Sequence, residues 1–174
     1  SRLLVIPEPD AAEQQRLAAR RAELRDKHVT KTPSPGRGIH HAALICSDVE
    51  QTIAFYQGLL GFPLIELVEN RDYPGSTHFF FDLGNTTFLG FFDFPGLGLA
   101  QLPEGIGGVQ HIASSVPPDV HAELQQKLDD AGVPYDGPSR GIPESIYLRD
   151  PDGIGIELLR DELMFFGGKW LNRD

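Results

Sequence analysis

A chain of 174 residues has room for one domain or two small fused modules, and its 40% hydrophobic content suffices for an ordinary packed core. A net charge of -10 argues against nucleic acid and anionic membrane as partners and leaves a small-molecule substrate open. No apolar run reaches the roughly 18 residues that span a bilayer. The N-terminus carries no signal pattern, and the single cysteine, Cys46, cannot close an internal disulfide, so a reducing, cytoplasmic setting is expected.

Residues 1–38 read as an N-terminal arm. Asp10 is placed to cap a helix from about Ala11 to His28, mostly charged, with Leu17, Ala18 and Leu24 as a thin apolar stripe. The stretch 31–38, KTPSPGRG, is a linker by composition and sets a domain boundary. Residues 39–93 then run through strand 39–46, helix 49–60 capped by Ser47 or Asp48 and stopped by Gly61, and strands 63–69, 78–83 and 87–93. Residues 108–160 repeat this order: strand 109–116, a helix from 117–119 to about 131 stopped by Gly132, and strands 133–136, 145–149 and 155–160. The tail, 161–174, holds Met164, Phe165, Phe166 and Trp170, which suggests packing onto the domain or a partner chain.

Both halves therefore read β-α-β-β-β, and an internal duplication explains them most economically. The expected fold is α+β: two tandem βαβββ modules (39–93 and 108–160) forming an open, incomplete barrel around a metal site, with the helical arm outside. With first and last strands central, His41 and His111 take matching positions. Glu157 lies on the last strand of the second module, in DPDGIGIELL, and its counterpart in the first is Gly90, in TTFLGFFD. Two imidazoles and one carboxylate on one side of an ion leave its other side open, the ligand set of non-haem Fe(II) oxygenases. A further protein carboxylate would instead suit a Lewis-acid hydrolase or isomerase.

The stretches IHHAALICSDVEQTIAFYQGLLGF, GGVQHIASSV and SIYLRDPDGIGIELL resemble the vicinal oxygen chelate superfamily of glyoxalases, fosfomycin and bleomycin resistance proteins and extradiol ring-cleaving dioxygenases. The resemblance covers residues 38–160. It implies that His41, rather than the adjacent His40, joins His111 and Glu157 as metal ligands. Tyr147 precedes Glu157 by ten positions, as in ring-cleaving dioxygenases, where such a tyrosine hydrogen-bonds near the metal-bound substrate oxygen. The implied activity is opening of an aromatic diol with O2 at Fe(II). Mn(II), Ni(II), Zn(II) and Co(II) are the other metals such a set accepts. The sequence departs from that pattern in GPSRGIPES, where Ser139 or Arg140 stands in place of a histidine, and at Thr87, near the place of a second-sphere histidine. His78 is the candidate acid/base substitute.

Two other functions remain open. A glyoxalase- or epimerase-like lyase or isomerase would need Glu66, Glu69 or Asp93 turned inward as a base. A non-enzymatic binding module would dispense with the ligands. The resemblance also implies a homodimer, in some members with exchanged modules. Of the remaining residues, Asp48 is expected as a helix cap, residues 150–153 as a turn, and Cys46 as a small buried apolar group. Either Phe91 or Phe92 should face the pocket. Arg71, Tyr73 and Arg140 lie in loops that could reach its mouth, and His28 and His121 are expected on exposed helix faces.

Overall fold

The computed structural model describes residues 7–102, 104–138, 144–166 and 168–171. The arm helix α1 spans Ala11–His28, as predicted, with the Glu13 amide donating to Asp10 Oδ1 at 2.9 Å. None of its residues is buried, so it forms a solvated rod. Among the described residues no helix is long and apolar enough to cross a membrane.

The first module comprises β1 (His41–Ile45), α2 (Val49–Ile53), β2 (Leu64–Glu69), β3 (Thr77–Asp82) and β4 (Phe88–Phe92), in sheet order β1-β4-β3-β2. Asp48 caps α2, accepting from the Gln51 amide at 2.9 Å. The helix predicted over 49–60 changes character midway, continuing over Ala54–Leu59 as a π-helical turn. Phe55 and Tyr56 are adjacent yet both buried, and the wider turn lets successive large side chains enter the core together.

The second module comprises β5 (Ile112–Ser115), α3 (Pro118–Asp130), β6 (Tyr135–Asp136), β7 (Ser145–Arg149) and β8 (Gly155–Leu159), in order β5-β8-β7-β6. The two sheets close no barrel. A two-residue hairpin follows: β9 (Phe165–Phe166) with β10 (Lys169–Trp170), the Phe165 and Trp170 rings meeting edge-on at 5.1 Å. Phe166 stays half exposed, so the tail buries only part of its apolar surface.

Strand alternation gives each sheet two unlike faces. In the first, Phe79, Phe81, Leu89 and Phe91 point to the core. In the second, Ile146, Leu148, Ile156 and Leu158 do so, and all eight belong to one contiguous cluster with Tyr56, Leu124 and Leu128. Helix α3 packs on the π-helical turn, so the modules join through their helix-covered faces. Two polar ties cross this seam. The buried Tyr56 hydroxyl donates to Asp150 Oδ2 at 2.9 Å, and the Ser47 amide donates to Asp152 Oδ2 at 2.9 Å. Burial pushes both the Tyr56 hydroxyl and the Asp150 carboxyl above their ordinary pKa ranges.

One helix residue departs from expectation. His121 is 4% exposed rather than solvated, because it shares the inner face of α3 with Leu124 and Leu128 at helical spacing. Burial lowers its pKa. Cys46 is buried as expected, its thiol pushed up to about 11 by desolvation.

Candidate metal centre

The second module's outward face carries the richer chemistry. Glu157, 7% exposed, sits on β8 directly across from Tyr147 on β7. Its Oε1 accepts two hydroxyl hydrogen bonds, from Ser145 at 2.6 Å and from Tyr147 at 2.8 Å. Its Oε2 lies 2.9 Å from His111 Nε2. The other ring nitrogen of His111, Nδ1, contacts Gln110 Oε1. An amide oxygen only accepts, so a hydrogen bond here requires the hydrogen on Nδ1, and the neutral ring then presents the Nε2 lone pair to a carboxylate lone pair. Two acceptors at that distance attract only with a proton or a cation between them. The imidazole and carboxylate thus fit a divalent ion that takes N and O ligands. Burial, followed by the hydrogen bond to Glu157 and its charge, raises the Tyr147 pKa, so the phenol keeps its proton at neutral pH.

His111 lies just ahead of β5 rather than within it. Its partner strand β8 begins only at Gly155, after the 150–153 turn, so the ladder starts at Ile112–Ile156. The register still equates the modules. Ala43 pairs with Gly90 as Ala113 pairs with Glu157, and Phe80 faces Gly90 as Tyr147 faces Glu157. Gly90 is therefore the structural counterpart of Glu157. A Cβ built there would meet Phe80 Cε1 at 3.0 Å, so the phenyl ring fills the space where a carboxylate would start.

His41 opens β1 on the first module's outward face, its ring 5.7 Å from Phe80. Its Nδ1 contacts His40 Nδ1 at 2.9 Å. His78 lies on the same face, stacked on Phe92 at 3.8 Å, with its buried Nε2 lacking any hydrogen-bond partner in the described structure. Burial first, and the neighbouring His41 second, lower its pKa. Of the two phenylalanines considered for the pocket, Phe92 faces outward and Phe91 is core.

One chain thus brings His111, Glu157 and Tyr147 together, and His41 with His78, on faces turned away from a shared core. Among the described residues no three histidine, cysteine or carboxylate side chains converge to hold a metal ion. Glu66, Glu69 and Asp93 accept from the backbone amides of Leu67, Gly75 and Thr77, engagements that do not point them to a site. Thr87 donates to the Ile39 carbonyl at 3.3 Å, Arg71 pairs with Asp72 at the surface, and Tyr73 meets Phe94 edge-on. Ser139 and Arg140 lie outside the described residues. Sequence reasoning missed Ser145, Gln110 and the His40–His41 contact. Ser145 was legible by alternation, two positions before Tyr147 on the same face.

Residues 38–158 match the model of the Glyoxalase/Bleomycin resistance protein/Dioxygenase superfamily. The chain belongs to this superfamily. Among the superfamily's curated members, it is 30% identical over 130 residues to the Bacillus subtilis protein named "Putative ring-cleaving dioxygenase MhqO", covering 72% of this chain and 40% of that one. The crystal structure of a "putative dioxygenase" from Bacillus subtilis superposes with a TM-score of 0.63 at 28% identity, covering 76% of this chain and 44% of that one. The chain thus spans less than half the length of these two relatives. The fosfomycin resistance protein FosX from Listeria monocytogenes, complexed with Mn(II) and sulfate, shares the fold with a TM-score of 0.54 at 24% identity, over 73% of this chain and 94% of its own.

Proposed function

We propose that the chain is a metal-dependent dioxygenase of the extradiol type, opening an aromatic diol with O2. The observation that supports it most is the hydroxyl-braced carboxylate beside an imidazole: Glu157 fixed by Ser145 and Tyr147 and facing His111 Nε2. The names of the longer Bacillus relatives point the same way. In this reading His41, His111 and Glu157 hold Fe(II), with Mn(II), the ion named for FosX, Ni(II), Zn(II) and Co(II) also compatible. When bound, the ion supplies adjoining open positions for the diol and for dioxygen. Glu157, held by two donors, offers only Oε2 to the ion. Tyr147 keeps its proton and donates a hydrogen bond at the site. His78, whose Nε2 has no hydrogen-bond partner among the described residues, accepts a diol proton. The reaction breaks the ring bond beside the diol and places both atoms of O2 in the product, with the ring as the source of electrons.

The reading also requires a second copy. His41 and the His111–Glu157 pair lie on opposite sides of one chain, while β1 and β5 each end their sheets with an edge that, among the described residues, has no strand neighbour. Ile39 and Val109, each two residues before a ligand histidine, are 70% and 45% exposed. A two-fold pair sets β1 of one copy beside β5 of the other and completes two sites at once. Mixing His41→Ala and Glu157→Gln chains tests this. Neither variant alone retains metal, whereas an exchanged mixture recovers about a quarter of the wild-type metal per chain, since half the pairs are mixed and each has one intact site. No recovery, or a monomer holding a full complement of metal, rejects the shared site.

Oxygen uptake by anaerobically Fe(II)-loaded protein with a catechol panel tests the activity. Uptake with appearance of a ring-opened chromophore is expected. No uptake with any diol, together with turnover of a glutathione hemithioacetal without O2, would replace the oxygenase with a lyase or isomerase. Tight binding of an aromatic drug by the metal-free chain, without any turnover, would make it a binding module.

A further inference from the structure

We infer that the residue preceding each ligand histidine, His40 in the first module and Gln110 in the second, is a positioning residue that fixes its neighbour's hydrogen on Nδ1 and so reserves Nε2 for the metal. The inference rests on the metal reading above, and extends it to two residues outside the ligand set. Its ground is a repeated contact. His40 Nδ1 lies 2.9 Å from His41 Nδ1, and Gln110 Oε1 contacts His111 Nδ1. The strand register makes these positions equivalent, because His41 and His111 each stand two residues before the alanine that faces Gly90 or Glu157.

The two devices differ chemically. In the second module the amide oxygen is an acceptor and dictates the hydrogen's place on Nδ1. In the first, two imidazole nitrogens face each other, and only one can carry the hydrogen between them. If His40 donates, a neutral His41 carries its hydrogen on Nε2, where it blocks ligation. If His41 donates, its Nε2 lone pair is free, and His40 keeps its own hydrogen on Nε2. The second arrangement makes the halves chemically alike. The backbone holds the two rings together, since the Phe88 amide donates to the His40 carbonyl at 3.1 Å and the Thr87 hydroxyl to the Ile39 carbonyl at 3.3 Å, pinning this stretch against β4. A metal-bound histidine usually donates its second N–H to an acceptor that orients the ring, and loss of such a partner costs roughly 10–100-fold in metal affinity.

Two-bond 1H–15N correlation spectra of histidine-labelled, metal-free protein test the inference directly, with His41 and His111 assigned from their asparagine variants. Both rings should carry hydrogen on Nδ1. His40→Ala and Gln110→Ala should lose that signature at their own neighbour only, and bind Zn(II) about 10–100-fold more weakly in chelator competition. His40→Gln, which copies the second module, should keep both the signature and the affinity. Nδ1 without hydrogen on either ring in the wild type overturns the inference. So do alanine variants with unchanged spectra and affinity, or a His40→Gln variant that behaves like His40→Ala. If the wild-type rings carry hydrogen on Nδ1 but the protein binds no divalent ion, the metal reading fails and the tautomer assignment stands.

Discussion

The outward faces of the two modules share one backbone plan and opposite chemistry. At three equivalent positions the second module carries Ser145, Tyr147 and Glu157, joined by hydrogen bonds of 2.6 and 2.8 Å. The first carries His78, Phe80 and Gly90, where rings fill the space instead: His78 and Phe80 lie 4.3 Å apart, and Phe80 occupies the room above Gly90. Matching register therefore does not imply matching function. One half offers a braced acid, and the other a histidine, His41, set in an aromatic wall.

The two faces can be altered one at a time. Glu157→Ala should remove the second module's acid and leave only its imidazole, with divalent metal affinity falling by more than the roughly 100-fold upper range for losing a supporting group. Isothermal titration of wild type and variant would measure it. The reverse experiment installs the acid in the first module. Gly90→Glu should destabilise by about 2 kcal/mol, because its Cβ meets the Phe80 ring and overpacking strains a filled site. Adding Phe80→Tyr, which copies the tyrosine beside Glu157, should recover part of that loss in denaturant melts.

Tyr147→Phe removes one brace of two and should lower metal affinity about tenfold, with the fold unchanged by circular dichroism. A smaller effect concerns the seam. Burial raises the Asp150 pKa above 3.8, so the folded chain holds that proton more tightly than the unfolded chain. The protonated acid therefore contributes stability fully below the unfolded value, and loses it as pH rises through the folded one. Measured against Asp150→Asn, wild-type stability should fall over that window and then level off, by about 1 kcal/mol or less. Removing residues 1–38 should change the unfolding free energy least, by under about 0.5 kcal/mol, since α1 buries nothing.

Much of this architecture was legible in the chain. The α1 limits, the Asp48 cap and the βαβββ order follow from capping residues and hydrophobic period, which are local signals. The equivalence of Gly90 and Glu157 came from spacing within the duplication, and Tyr147 with Glu157 from the resemblance to ring-cleaving dioxygenases, whose separation of ten the intervening turn here converts into a cross-strand pair. The rest depended on tertiary choices. Alternation along β1 and β8 separates two faces but does not say which face of one module packs against which of the other. The burial of His121 did have a local signal, its i, i+3, i+7 spacing with Leu124 and Leu128, whereas His28 ends a helix that buries nothing. Packing of the Tyr56 ring against Phe55, Phe81 and Phe91, at centroid distances of 5.0, 5.2 and 5.1 Å, accompanies a widened turn that helical spacing alone cannot announce.

The Tyr56–Asp150 tie has a consequence for how such a molecule can change. It lies inside the joint, while His41, His78, Phe80, Tyr147 and Glu157 all lie outside it. Substitutions on the outer surfaces can therefore alter what is bound without loosening the hinge between the halves. A change at the joint would tilt both surfaces together, so new specificities can arise one side at a time, whereas the angle between the sides is inherited as a unit.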